Sequence, residues 1–142
     1  AGLKARGELR EQPVHVVDIA PTLLKLANVP WPKLNGQTSV PVSDGLDLSA
    51  VLKENKAMQN RALWWCHENH CAFRLGDWKW IATTGQPGEL YYLKADRAET
   101  RDLAAANFER LQEMEAQWTK IANKFKQAPP PTALTSTSAA KE

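Results

Sequence analysis

The sequence predicts an α+β domain: a small antiparallel sheet of about four strands, covered on one face by a long C-terminal helix. Two observations carry that prediction. Between Ala62 and Leu93, β-branched and aromatic residues alternate with polar ones between turn signals, which gives three short strands and a fourth at Glu89–Leu93. From Leu111 to Phe125, apolar residues recur at steps of three and four, the period of an α-helix. The first stretch also holds four of the six Trp, both Cys and two of the three His, so its chemistry is concentrated there.

Leu75-Gly76-Asp77-Trp78 reads as a two-residue hairpin, because Gly-Asp supplies the positive φ such turns need. That register sets Leu75 opposite Trp78, Phe73 opposite Trp80 and Cys71 opposite Ala82. A preceding hairpin with its tip near Glu68-Asn69 pairs Cys66 with Cys71 and Trp64 with Phe73. Leu75, Trp78, Phe73, Trp80, Cys71 and Ala82 then share one aromatic face, and Ala72, Arg74, Lys79 and Ile81 share the other. An aromatic face of this size requires a cover. The stripe Leu111, Met114, Trp118, Ile121, Ala122 and Phe125 provides it, on a helix that Asn107 can cap.

The N-terminal part is less regular. Residues 1–12 read as a loop or exposed edge, and Pro13 to Val17 as a short extended lead-in. Asp18 suits a helix N-cap, with Pro21 in the first turn where its missing N–H loses no partner. Ile19, Leu23, Leu24, Leu26 and Ala27 are the expected buried side, and Asn28 can close the helix in the left-handed conformation before Pro30 and Pro32. Residues 29–45 read as a long irregular loop. Asp44-Gly45 is a turn, followed by a one- or two-turn helix containing Leu46, Leu48, Val51 and Leu52 with Asp47 at its start. Lys53 to Arg61 is a polar linker. After Leu93, Asp96, Glu99, Thr100 and Asp102 supply turn acceptors. The tail from Ala128 is Pro, Ser, Thr and Ala without apolar periodicity and is expected to be disordered.

Composition excludes several classes. The 142 residues fit one domain, and a net charge of +2 argues against nucleic acid or an anionic membrane as partner. No apolar run approaches the length of a membrane span. The chain opens on a polar segment without an initiator Met or signal peptide, so it is expected to begin within a longer protein.

The cluster Cys66-His67-Glu68-Asn69-His70-Cys71 places two thiols and two imidazoles in six residues. Four donors on one hairpin tip are poorly placed for tetrahedral zinc, whose structural sites usually join two separate elements. Opposed strand positions suit a cross-strand disulfide between Cys66 and Cys71, and two small half-buried thiols suit the same positions. A Cys–His nucleophile has no orienting partner in view. No residues form a recognisable metal or catalytic set.

Taken together, the segments resemble the sulfatase family. Val16-Val17-Asp18-Ile19-Ala20-Pro21-Thr22-Leu23-Leu24 resembles its D-hydrophobic-x-P-T-L-L helix start, and Asp44-Gly45-Leu46-Asp47-Leu48 its D-G-x-D/S-L segment. Trp65 to Arg74 resembles its W-E-H-E-G-N-x-A-V-R hairpin, and Gly76-Asp77-Trp78-Lys79 its G-D-W-K turn. Glu89-Leu90-Tyr91-Tyr92-Leu93, followed by Asp96, Glu99, Asp102 and Leu103, resembles its E-L-Y-D-L ending. The resemblance implies the C-terminal part of an arylsulfatase-type enzyme of the alkaline-phosphatase-like superfamily. Residues 1–60 would be the edge of an α/β catalytic domain with a connecting loop, and residues 61–127 the C-terminal subdomain.

Family members hydrolyse sulfate esters with a formylglycine, made from Cys or Ser in a C/S-x-P-x-R motif, and a calcium ion held by Asp and Asn. The resemblance places both upstream of this chain. Ser39-Val40-Pro41-Val42-Ser43 has Ser where the motif needs Arg, and lies in a loop. The implied partners are the protein's own N-terminal catalytic domain and a sulfated small molecule or glycan, in the periplasm or outside the cell, where a Cys66–Cys71 bond is permitted. His67 and Glu68 match the family's H-E pair and are the first candidates for the rim of the substrate pocket; the alternative is that this tip caps a domain contact. Cys66 departs from the family's Glu, and Asn69-His70-Cys71 from its Gly-Asn-Arg. This reading expects an exposed apolar patch near the helix Asp18–Asn28. Two others use the same residues: a stand-alone interaction or glycan-binding module with a closed core, and a small metal or redox protein built on the Cys/His hairpin.

Overall fold

The structure is a computed structural model and describes residues 7–126. The expectations for the first six residues and for the tail from Ala128 fall outside them. The chain divides into two compact units, Ala1–Arg61 and Ala62–Glu142.

In the first unit a 3-10 turn, Val16–Asp18, leads into helix α1, Ile19–Leu26. Asn28 takes the left-handed conformation (φ 56°) expected of it. The N–H groups of Asn28 and Val29 turn back to the carbonyls of Lys25 and Leu24 at 3.1 and 2.9 Å, which satisfies the helix end. The segment expected to be irregular contains a two-stranded ribbon, β1 (Leu34–Asn35) with β2 (Thr38–Ser39). Trp31 donates its indole N–H to the Pro41 carbonyl at 3.0 Å across the ribbon's base. Helix α2, Ser49–Glu54, follows, with Asp47 accepting from the Ser49 N–H at 2.9 Å and Asn55 closing it at φ 54°.

Asp18 corrects the sequence reading. It precedes α1 as expected, but its carboxylate makes no cap hydrogen bond to that helix. Instead it accepts from the N–H of His15 at 2.8 Å and of Leu46 at 2.9 Å, and pairs with the Arg61 guanidinium. It is wholly buried. A buried carboxylate must be paired and hydrogen-bonded to remain charged, so three segments far apart in sequence converge on it. Thr22, one turn on, donates to the Asp18 carbonyl at 2.6 Å and accepts from the Leu48 N–H at 2.9 Å.

The side of α1 expected to be buried is also corrected. Only Thr22 of that helix is buried, while Ile19, Leu23 and Leu26 are 54, 60 and 50% exposed. Val14, Val16, Val17 and Val29 are exposed beside them. The helix is anchored through its polar side by Asp18 and Thr22, which leaves the apolar side outward. The patch expected near this helix is therefore present.

The second unit is the α+β domain read from the sequence. Strands β3 (Ala62–His67), β4 (His70–Leu75), β5 (Trp78–Thr83) and β6 (Glu89–Tyr92) form an antiparallel sheet in that order. The register is the expected one, with Cys66 opposite Cys71, Trp64 opposite Phe73, Phe73 opposite Trp80 and Leu75 opposite Trp78. Gly76 supplies the turn's positive φ, 62°. Helix α3, Phe108–Lys126, covers the aromatic face, and Phe73, Trp80, Leu90 and Met114 form its buried centre. Trp64 packs on Phe125 and Trp118 at ring distances of 4.6 and 5.8 Å. Asp96 accepts from the N–H groups of Thr100 and Arg101 at 2.8 and 2.9 Å. Asp102 accepts from Leu90 and Ala104, both at 2.9 Å, which ties the turn to β6. Glu99 differs from the local turn role expected: it binds the Lys79 ammonium at 2.6 and 2.8 Å, twenty residues back.

Two outcomes test the first unit. A Cβ at Gly45 would lie 2.0 Å from the Val17 carbonyl oxygen, so Gly45→Ala must push two backbones apart. It should cost about 1–3 kcal/mol in urea unfolding, and an unchanged midpoint would contradict this close approach. For Asp18, burial opposes ionisation, but hydrogen bonds from Leu46, His15 and Arg61 outweigh it and hold the pKa below 3.8. A depressed carboxylate contributes stability above its unfolded pKa and loses it as pH falls through the folded one. Stability measured against pH should therefore fall below pH about 4, and Asp18→Asn should flatten that limb while costing about 3 kcal/mol at neutral pH.

Candidate functional site

The sequence candidates meet at one hairpin tip. His67 ends β3, His70 begins β4, and Glu68-Asn69 form the turn between them. The period-two alternation of the strands puts His67 and His70, directly opposed, on the face away from α3. His67, Glu68, Asn69 and His70 are all exposed. Glu68 adopts a left-handed φ of 52°, which a side chain with a Cβ tolerates poorly. The tip leans on the end of β5. The His70 Nδ1 and the Thr83 hydroxyl are 3.1 Å apart, and the Thr84 N–H donates to the Asn69 carbonyl at 3.0 Å.

Cys66 and Cys71 are joined by a disulfide, with Cα atoms 4.2 Å apart. The two positions are thus a bonded pair, on strands whose register sets them directly opposite each other. Neither sulfur is then available as a metal ligand or nucleophile. Among the described residues no three His, Cys, Asp or Glu side chains gather to hold a metal ion. The calcium ion and formylglycine of the sulfatase family thus find no fitting residues here: both cysteines are bonded, and Ser39 lies in the β1–β2 ribbon with Ser43 at the position that would need Arg.

Sequence reasoning missed three polar contacts. Arg61 binds Asp18 from 43 residues away, Lys79 binds Glu99, and the Tyr91 hydroxyl donates to Glu89 at 2.9 Å. Burial and the neighbouring Glu89 carboxylate push the Tyr91 phenol up to about 12, so it remains a donor. Tyr91 and Glu89 are two apart on one strand, a spacing that puts them on one face; the other two pairs carry no local signal.

The fold is shared with solved structures. The Ps i-CgsB structure, also solved in complex with k-i-k-neocarrahexaose, matches 78% of this chain with a TM-score of 0.63 at 22% identity. A sulfatase from a Bacteroides thetaiotaomicron locus for metabolism of multiple glycosaminoglycans matches 75% with a TM-score of 0.58 at 20% identity. A protein solved with its substrate D-glucosamine-2-N,6-O-disulfate matches 80% with a TM-score of 0.53 at 22% identity. At 20–22% identity the likeness is one of fold. The chain spans 24% of the length of each of these proteins. No family model matches the chain, and no curated protein matches it. Among the described residues no helix is long and apolar enough to cross a membrane.

Replacing Glu68 by Gly removes the left-handed penalty at the tip. The variant should be more stable by up to about 1 kcal/mol, and a loss of that size in urea unfolding would mean that the Glu68 side chain holds the turn.

Proposed function

We propose that this chain is the C-terminal segment of a sulfuric ester hydrolase of the arylsulfatase type, and that it buttresses an upstream catalytic domain. The observation that carries the reading is the outward apolar side of α1, in a chain whose fold fills about a quarter of sulfatase structures. Ile19, Leu23 and Leu26 with Val14, Val16, Val17 and Val29 make a surface suited to burial against another domain. On this reading residues 1–60 belong to the edge of the catalytic domain and residues 61–127 form the C-terminal subdomain. The formylglycine and the calcium ion belong to the upstream domain.

The substrate is a sulfated saccharide. The neighbours with the same fold support this, one being solved with a disulfated glucosamine and another with a neocarrahexaose. His67 and Glu68 are the residues of this segment proposed to stand at the pocket rim, where an exposed imidazole and carboxylate can meet sugar hydroxyls. The disulfide suits a periplasmic or extracellular setting, where oxidised cysteines persist.

The test is a comparison of two polypeptides. The 142-residue chain alone should release no product from an aryl sulfate, and the same chain joined to its upstream residues should turn it over. Turnover by the 142-residue chain alone would contradict the proposal.

A further inference from the structure

The Cys66–Cys71 disulfide bridges two positions that the strand ladder already holds together. Opposed residues that exchange no backbone hydrogen bonds in an antiparallel pair sit about 4.5 Å apart, and these Cα atoms are at 4.2 Å. The bond encloses only residues 67–70, so it removes little chain entropy from the unfolded state. The buried centre of the unit, Phe73, Trp80, Leu90 and Met114, is held by four strands and α3 without it. The disulfide thus has a local effect, on the tip it encloses.

The tip's four residues are exposed, Glu68 is in the left-handed region, and hydrogen bonds join the tip to Thr83 and Thr84 on one side. Cys66 is itself exposed, so a small thiolate can reach the bond.

We propose that Cys66–Cys71 is a reducible latch that fixes the presentation of His67, Glu68, Asn69 and His70 while leaving the fold intact. A small dithiol opens it. Its thiolate bonds to the Cys66 sulfur, and Cys71 departs with the electron pair and takes a proton. The reductant's second thiolate then displaces Cys66, leaving two protein thiols and a cyclic oxidised dithiol. The inference rests on the hairpin's geometry and stands apart from the sulfatase reading.

The test is amide hydrogen exchange on the full chain with and without dithiothreitol under native conditions, with alkylation to count thiols. Reduction should expose both cysteines to alkylation and speed exchange at residues 66–70 by about tenfold or more, with β5, β6 and α3 still protected. The double variant Cys66→Ser with Cys71→Ser should show the same local pattern without reductant. A bond that resists the dithiol in the folded chain, an unchanged tip, or loss of protection in β5, β6 and α3 would each overturn the proposal.

Discussion

The register of the β3–β4–β5 ladder decides which side chains α3 has to cover, and the second unit depends on it. A shift of one residue would turn Trp64, Phe73 and Trp80 to the opposite face, exposing the aromatic surface and stripping Met114 and Trp118 of their partners. The Gly76-Asp77 turn and the Glu68-Asn69 turn fix that register at both ends of β4. The first supplies positive φ from a glycine, the second from a glutamate, so the same geometry is easily held at one end and strained at the other. The strained end is where the disulfide lies and where the tip presents its imidazoles. Local conformational cost, covalent bond and candidate contact surface thus coincide in six residues.

The first unit is organised differently, around a charge. Asp18 gathers the backbone of His15 and Leu46 and the side chain of Arg61, and Thr22 extends the network to Leu48. Gly45 lets the 43–48 segment come close enough for this, since its missing Cβ would overlap the Val17 carbonyl. A polar anchor of this type fixes α1 without using its apolar residues. This accounts for a helix with Ile19, Leu23 and Leu26 facing outward, a surface that a soluble domain ordinarily covers.

The second unit was legible in the sequence because its determinants are local and periodic. Alternation over six-residue strands, one Gly-Asp turn and a helical stripe of six apolar residues specify sheet, register and lid together. The first unit was less so. Asp18 has the composition of a cap, and only the distant Arg61 and Leu46 reveal it as a buried hub. Leu23 and Leu26 have the spacing of a core face, and periodicity cannot say whether an apolar face is covered by the same chain or by another polypeptide. The ribbon at Leu34–Asn35 and Thr38–Ser39 is too short to leave an alternating pattern. At the tip, opposed cysteines followed from the register, whereas the bond between them depends on oxidation, which residue order does not record.

With Ile19, Leu23 and Leu26 exposed, the apolar side of α1 makes no part of this chain's own core, as the proposed docking of another domain requires. The most direct measurement is the urea unfolding midpoint of Leu23→Glu in the isolated chain. A residue whose side chain already faces solvent should shift stability by no more than about 0.5 kcal/mol. A loss of about 2–4 kcal/mol, as for a charge forced into a core, would show that Leu23 is packed inside this chain and would contradict the account.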